Sequence, residues 1–372
     1  MADIKTHLRE LSVAITVGLL SRGKEISPSD LYDSEKFYEY ASAIVKNEVS
    51  SAKNILKYDK FPEDLKLIID NGYKLGVKIF EHPYFNIPNN VDIKWLGNDT
   101  QKGNPVDIVV GEYAFSLKED SFILKNMGLY NLLNNQTGST YPRGVHVFST
   151  FAQEEYEQWF DYTWKSFVKF LKDADRWLLV ENEKIYSAHI FESLVIMQYN
   201  DYVSRVPIDI KSFKDYMKYT VSETREKVFS KWINKIFSKD KEYLKLKKHC
   251  SETAGKQVCK IINSKFNPNL VCNFLQIYDF DYFYAKTTSQ ETTLLHVPSK
   301  SLFSLNIEFL GCSYNVPGSQ LNIISVFRNI KTGKTLEFRN ECRFSHGQFN
   351  GTPEAKMYVV KETPLTELYE PV

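Results

Sequence analysis

The chain has 372 residues, 43% of them hydrophobic and 25% charged, and its net charge is only +1. That length allows one large domain or two ordinary ones with a sizeable core. The near-neutral balance excludes a chain that is basic throughout, so any nucleic-acid contact requires a locally basic surface. Five cysteines, widely spread and without a CxxC pair, exclude a disulfide scaffold and a zinc ribbon and suit reduced thiols in the cytoplasm.

In chain order, the first ~90 residues show helical apolar periodicity. The run from Leu11 to Leu20 is too short to span a bilayer and follows acidic residues, so it is expected to be a core helix rather than a signal or membrane segment. A long helix is expected after a cap at Ser27 or Ser29, and another over "FPEDLKLIIDNGYKLGVKIFEH", bounded by Pro62 and Pro83 and open to interruption at Asn71-Gly72. Then "DIKWLG", "VDIVVG" and "YAFSLKED" predict three short strands. "NMGLYNLLNN" predicts a helix. Thr150 with Gln153 predicts a capping box for the helix that follows. "RWLLVENEKIYSAHI" predicts a hairpin about Asn182, and residues 209 to 265 predict lysine-rich helices.

From about residue 270 the pattern becomes β-rich, through "LVCNFLQIYDFDYFYAKT", "TTLLHVPS", "FSLNIEFLG", "LNIISVFRNI" and "TLEFRNECRFSHGQF", with a hairpin turn at Lys331 to Lys334. The expected fold class is α/β, a mixed central sheet flanked by helices with a β-rich C-terminal part. The expected division is a helical and catalytic region over residues 1–175 and a helical and β-rich region over 176–372, or one compact domain.

The chemistry concentrates in "GNPVDIVVGEYAFSLKED", residues 103 to 120. Two strands meet at the tight turn Gly111-Glu112. Alternation places Tyr113, Phe115 and Leu117 on one face and Ser116, Lys118 and Asp120 on the other. Asp107, at the start of the first strand, reaches that second face. A carboxylate beside a lysine suits phosphodiester hydrolysis: the carboxylate holds Mg²⁺, which prefers oxygen ligands, and the lysine orients or deprotonates the attacking water. The bland alternative is a turn-capping aspartate and a solvated strand lysine.

This stretch resembles the PD-(D/E)XK nuclease superfamily, and within it the type II restriction endonucleases. The resemblance lies in "PVDIVV" (Pro105 to Val110), followed nine residues after Asp107 by "SLK" (Ser116 to Lys118), and then by a helix. It implies a restriction-endonuclease-like fold, Mg²⁺-dependent cleavage of double-stranded DNA, a metal-binding Asp107, a catalytic Lys118 and a homodimer acting on a palindromic target. The chain departs from the family at Ser116, where an acid is usual. Asp120, on the same strand face, and Glu81, at the end of the preceding helix, are the candidate replacements in the metal shell, and Glu119 is set aside by face parity.

Two further stretches bear on function. "RNECRFSHGQFNG" carries Arg339, Arg343, His346, Gln348 and Asn350, with Arg328 just before it. Side chains of these types read base edges, and the alternative is a solvated polar hairpin. "GTPEAKMYVV" holds Glu354-Ala355-Lys356, a closer match to an acid-x-lysine pair than "SLK". It has no aspartate on a nearby strand, and Pro353 marks an edge position or a strand start. The lysines from Lys211 to Lys260 are interspersed with acids and read as a solvated helix face. No nucleotide-binding loop, zinc-ligand spacing or hydrolase triad signature is present. The expected activity is therefore site-specific DNA cleavage. A DNA-binding protein with a degenerate nuclease core, or a nonspecific nuclease, is the alternative.

Overall fold

A computed structural model of the chain describes residues 4–47, 49–96, 105–118, 123–142, 147–173, 209–219, 228–275, 277–288, 291–303, 307–344, 347–349, 353–360 and 365–372. It is a mixed α/β protein with two sheets, one mixed and one antiparallel. It forms two compact units: the first is Met1–Phe122, Leu275–Asn306 and Pro364–Val372, and the second is Ile123–Phe274 and Ile307–Thr363. The division expected near residue 175, like the hairpin about Asn182, falls outside the described residues. Among the described residues, no helix is long and apolar enough to cross a membrane.

In the first unit, helix α1 (Ile4–Leu20) is buried over nearly its whole length from His7 to Leu19. It packs most extensively against α3 (Glu63–Glu81). The expected break at Asn71-Gly72 does not occur. Gly72 and Gly76 instead let the two helices approach closely, since a Cβ at Gly72 would lie 2.6 Å from Ser12 Cβ and one at Gly76 would lie 2.7 Å from Thr16 Cβ. The long helix expected after Ser27 is divided. Ser27 caps only the 3₁₀ turn Pro28–Leu31, whereas Asp33 caps α2 (Ser34–Ile44) by accepting the Lys36 N–H at 3.0 Å. A second 3₁₀ segment, Ser50–Lys57, follows.

The six-stranded sheet of this unit runs β1 (Ile93–Trp95), β2 (Ile108–Val110), β3 (Tyr113–Lys118), β5 (Tyr282–Thr287), β6 (Thr292–Val297) and β11 (Glu370–Pro371) in spatial order. All these neighbours pair antiparallel except β3 and β5, which are parallel. The turn Gly111-Glu112 joins β2 to β3 as expected, with Gly111 at φ +59°. Leu117, Phe115, Phe283 and Ala285 belong to the same core as α1 and α3.

In the second unit, β4 (Ile123–Gly128), β10 (Glu354–Val359), β9 (Thr335–Arg343), β8 (Asn322–Asn329) and β7 (Ile307–Asn315) form the antiparallel sheet in that order. The start of "NMGLYNLLNN" belongs to β4, and helix α4 begins only at Leu129 and runs to Thr137. A short helix, α5 (Val147–Phe151), contains Thr150, so Thr150 is part of the preceding helix rather than the residue next to α6 (Gln153–Asp173). Helices α7 (Phe213–Tyr219), α8 (Val228–Trp232) and α9 (Lys241–Lys265) follow, and α9 packs on β7 and α6. The strand expected over "LVCNFLQIYDFDYFYAKT" is half helix: Val271–Phe274 is a helical turn, and only Tyr282–Thr287 is extended. The C-terminal strands thus divide between the two sheets. All five cysteines are buried, with no disulfide between them.

Candidate active site

The open end of the β2–β3 hairpin brings Asp107 and Lys118 together, with Lys118 Nζ 3.8 Å from Asp107 Oδ2. Asp107 lies just before β2, where the ladder stops. Its N–H donates to Phe115 O at 2.8 Å, its carbonyl accepts from Leu96 N at 2.8 Å, and its carboxylate Oδ2 accepts the Leu117 N–H at 2.6 Å. The side chain thereby continues a ladder that the backbone has left, which fixes the carboxylate between β1 and β3. The two side chains are 20% and 25% exposed, so each has lost most of its hydration while keeping one open side. A pair in this condition is costly unless it is well matched or used.

The structure adds a group that the strand pattern does not reveal. Glu10, on α1, is 2% exposed. Burial, and next to it the charge of Asp107, push its carboxyl up to about 8. The Trp95 hydrogen bond, Arg9 and Lys118 act in the opposite direction. Asp107 is also held above its ordinary value by burial, against the pull of Lys118, the Leu117 N–H and Arg9. Trp95 Nε1 donates to Glu10 Oε2 at 2.6 Å. Trp95 is held in turn by Asn47, which accepts its N–H at 2.8 Å and donates to its carbonyl at 2.5 Å, and by the edge of His7 at 5.2 Å. The result is two carboxyl groups within electrostatic reach of each other, with Lys118 and Arg9 beside them.

A signal for Glu10 was present in the sequence. Glu10, Val13, Ala14 and Val17 follow helical spacing and all are buried, so an acid stands on an apolar stripe, where an unpaired charge is expensive. The other expected metal-shell residues fare differently. Glu81 is the last residue of α3 and is exposed, and the carboxylate whose charge acts on Glu10 is that of Asp107. Asp120 lies outside the described residues. Ser116 is 1% exposed, because both faces of β3 are covered at its centre.

Among the described residues, no group of three or more His, Cys, Asp or Glu side chains gathers at one point. Two carboxylates nevertheless fit Mg²⁺, which takes one or two protein carboxylates and completes its shell with water and substrate phosphate. Two carboxyl groups raised by burial, Glu10 also by the charge of Asp107, form a donor set that a divalent cation would relieve.

The expected base-reading residues belong to the second unit. Arg328 is exposed and lies 3.5 Å from Glu308. Arg339 stacks over Tyr358 at 4.9 Å. Arg343 Nε lies 2.9 Å from Glu341 Oε1. Arg343 and Gln348 line a cleft of about 400 Å³ with Gln320, Glu341, Phe344 and Lys356. His346 and Asn350 lie outside the described residues. Glu354 and Lys356 sit on β10, an interior strand that starts directly after Pro353. They face Arg343 and Glu341, respectively, in the register with β9. On α9, Lys245 pairs with Glu242 and Lys248 with Glu252, as a solvated helix face does.

No family model, curated protein or solved structure matches the chain.

Proposed function

We propose that the chain is a Mg²⁺-dependent phosphodiesterase acting on double-stranded DNA and, from its resemblance, a type II restriction endonuclease working as a cytoplasmic homodimer without a nucleotide cofactor. The observation that carries this reading is the cluster at the hairpin end: Lys118 Nζ lies 3.8 Å from Asp107, and the charges of both act on buried Glu10.

Asp107 and Glu10 are the residues that would hold the metal. A bound Mg²⁺ supplies polarisation of the phosphate and a lowered pKa for a water molecule. Asp107, anchored through the Leu117 N–H, keeps its position without help from the metal. Lys118 orients the attacking water and offsets the charge that develops on the phosphate oxygens. Glu10 takes the part of the acid missing at Ser116, entering from a helix rather than from β3. Arg328, Arg339, Arg343, His346, Gln348 and Asn350 are the proposed DNA-contacting residues.

A second reading, a DNA-binding protein with a degenerate nuclease core, draws on buried Ser116 at the usual acidic position. Incubation of plasmid with the protein in Mg²⁺ or in EDTA separates the readings. Discrete fragments in Mg²⁺ alone mark a restriction enzyme, and a smear marks a nonspecific nuclease. Intact plasmid with a gel shift marks the binder.

A further inference from the structure

In the second unit, one stripe of α9 lies along β7, the edge strand of the five-stranded sheet. Gly255, Cys259 and Asn263 recur every four residues, which places them on one face of the helix. Each meets the strand. A Cβ at Gly255 would lie 2.7 Å from Tyr314 Cδ2, so the missing side chain lets that ring against the helix. Asn263 Oδ1 accepts the Cys312 N–H at 2.7 Å, and its Nδ2 donates to the Cys312 carbonyl at 2.8 Å. Phe266, just past the end of α9, stacks on Phe309 with ring centroids 3.8 Å apart. The strand is thus fixed to the helix on both sides of Cys312. Cys312 is the one buried residue of β7, and its S–H donates to Cys259 Sγ at 3.4 Å. That hydrogen bond, and after it burial, hold the Cys312 thiol far above its ordinary value. Disulfide sulfurs lie about 2.05 Å apart, so the pair closes with a movement of about 1.4 Å from its 3.4 Å separation. Both thiols keep a little open surface, 6% at Cys259 and 8% at Cys312.

We propose that Cys259 and Cys312 form a redox latch: a hydroperoxide joins them in a disulfide that ties α9 to the edge strand β7, and a dithiol releases it. Cys259, the sulfur that accepts the hydrogen bond, attacks the terminal peroxide oxygen. The S–O bond forms, the O–O bond breaks, and the departing oxygen takes the Cys259 proton and leaves as water or an alcohol. The Cys312 sulfur then attacks the sulfenic sulfur of Cys259. The S–S bond forms, the S–O bond breaks, and the hydroxyl leaves with the Cys312 proton as water. The two sulfurs give up two electrons, and the peroxide takes them. An edge strand is paired on one side alone and opens more easily than its neighbours. The disulfide closes the chain from residue 259 to residue 312 and holds that strand to the helix. The latch lies within the second unit and does not depend on the nuclease reading.

The test uses the full chain, first reduced and then exposed to hydrogen peroxide at neutral pH. Remaining thiols are blocked with N-ethylmaleimide, and the digest is mapped by non-reducing mass spectrometry. The expected result is a linked peptide pair containing Cys259 and Cys312, with the other three of the five cysteines blocked, and loss of the link in dithiothreitol. Oxidation should raise the melting temperature by about 5 °C or more, and reduction should reverse the rise. Cys259→Ser and Cys312→Ser should each abolish the link and the rise. Cys342→Ser, which removes another thiol in electrostatic reach of Cys259, should keep both. Five free thiols after peroxide, Cys259 carried to the sulfinic or sulfonic acid without a link, or a link through a different cysteine overturns the latch. A Cys259–Cys312 link that leaves the melting temperature unchanged overturns it as well, since such a bond would hold nothing in place. The wild-type map decides the bond even where a serine variant fails to fold.

Discussion

Two strands of this protein carry a lysine two residues after a polar side chain, and their surroundings have little in common. In β3 the triplet is Ser116-Leu117-Lys118, and in β10 it is Glu354-Ala355-Lys356. By residue type the second is the better acid-x-lysine pair. Around it, however, charges alternate across the register: Glu354 lies opposite Arg343 and Lys356 opposite Glu341, beside a polar cleft of about 400 Å³. Such pairs neutralise one another near water and gain little. At β3 the lysine shares a mostly desolvated corner with Asp107, and Glu10 behind them is raised to about 8. The comparison teaches that burial around a charge, more than the spacing of a motif, prepares a group for chemistry.

The sharpest way to break the comparison is to remove each lysine in turn. Lys118→Ala is expected to lower the rate of DNA cleavage by about 10²–10⁴-fold, the range of a lost acid–base or positioning group, while duplex affinity changes little. Lys356→Ala is expected to leave the rate within about twofold. Single-turnover cleavage of a labelled duplex measures both, and equal losses at the two lysines would put the chemistry elsewhere.

Glu10 gives the next largest effect, and its sign can be stated. Its folded-state carboxyl, at about 8, lies above the ordinary value of 4.5. Between those values the folded protein retains a proton that the unfolded chain has released. Glu10's contribution to stability is therefore complete below about 4.5, declines as pH rises, and is gone above about 8. The span corresponds to a change on the order of 5 kcal/mol. Thermal melts of the metal-free protein should show wild type losing stability over this window and Glu10→Gln losing much less. In Mg²⁺, wild type should gain more stability at pH 8.5 than at pH 6.5, and Glu10→Gln should gain almost none at either. Parallel pH slopes for the two proteins would remove Glu10 from the site.

Much of the candidate site was legible in the sequence, for identifiable reasons. Asp107, the turn at Gly111 and Lys118 are local, with the two candidate residues separated by one hairpin, so alternation and turn chemistry were enough to bring them together. Glu10 is ninety-seven positions before Asp107 in the chain. Its role depends on how α1 meets β1 and β2, and no local pattern encodes that meeting. The expected α/β character holds, with one mixed and one antiparallel sheet. Alternation identifies strands such as β5 and β8 without saying which of them pair, and β5 joins β3 while β8 joins β7 and β9. The pattern of "LVCNF" predicts a strand where Val271–Phe274 is a helical turn, because a short apolar run does not distinguish a buried strand from a buried helical turn.

The placement of Glu10 depends on the close α1–α3 contact, which a third change probes. Gly72→Ala would bring a methyl group to 2.6 Å from Ser12 Cβ and 3.0 Å from the Arg9 carbonyl oxygen, one residue before Glu10. Overpacking of this kind costs about 1–3 kcal/mol. Denaturant unfolding should show that loss, and cleavage should fall with it as α1 shifts. Gly333→Ala, at φ +72° in the β8–β9 turn with nothing within 4 Å of the added carbon, is the control for backbone strain in the second unit, and it should leave the rate alone. A Gly72→Ala protein with normal stability would mean that the helices have slack, and that Glu10 is held by Trp95 rather than by helix packing.

The smallest expected effect tests the premise of the comparison. Glu341 and Arg343 form a 2.9 Å contact, shorter than the 3.8 Å between Lys118 and Asp107. If distance ruled, the β9 pair would be the stronger. Arg343 is 45% exposed, however, so water and salt screen the contact, and its coupling should be at most about 1 kcal/mol and fall further in high salt. In the hairpin pair neither partner is more than 25% exposed, whereas Arg343 stands half in water, and removal of Lys118 leaves Asp107 desolvated without its ammonium. Double-mutant cycles on Glu341/Arg343 and on Asp107/Lys118, read by chemical denaturation at low and high salt, should therefore rank opposite to the distances. A larger or salt-resistant coupling in β9 would show that the β9–β10 face is as desolvated as the hairpin, and the Glu354–Lys356 strand would then become the better candidate for the catalytic centre.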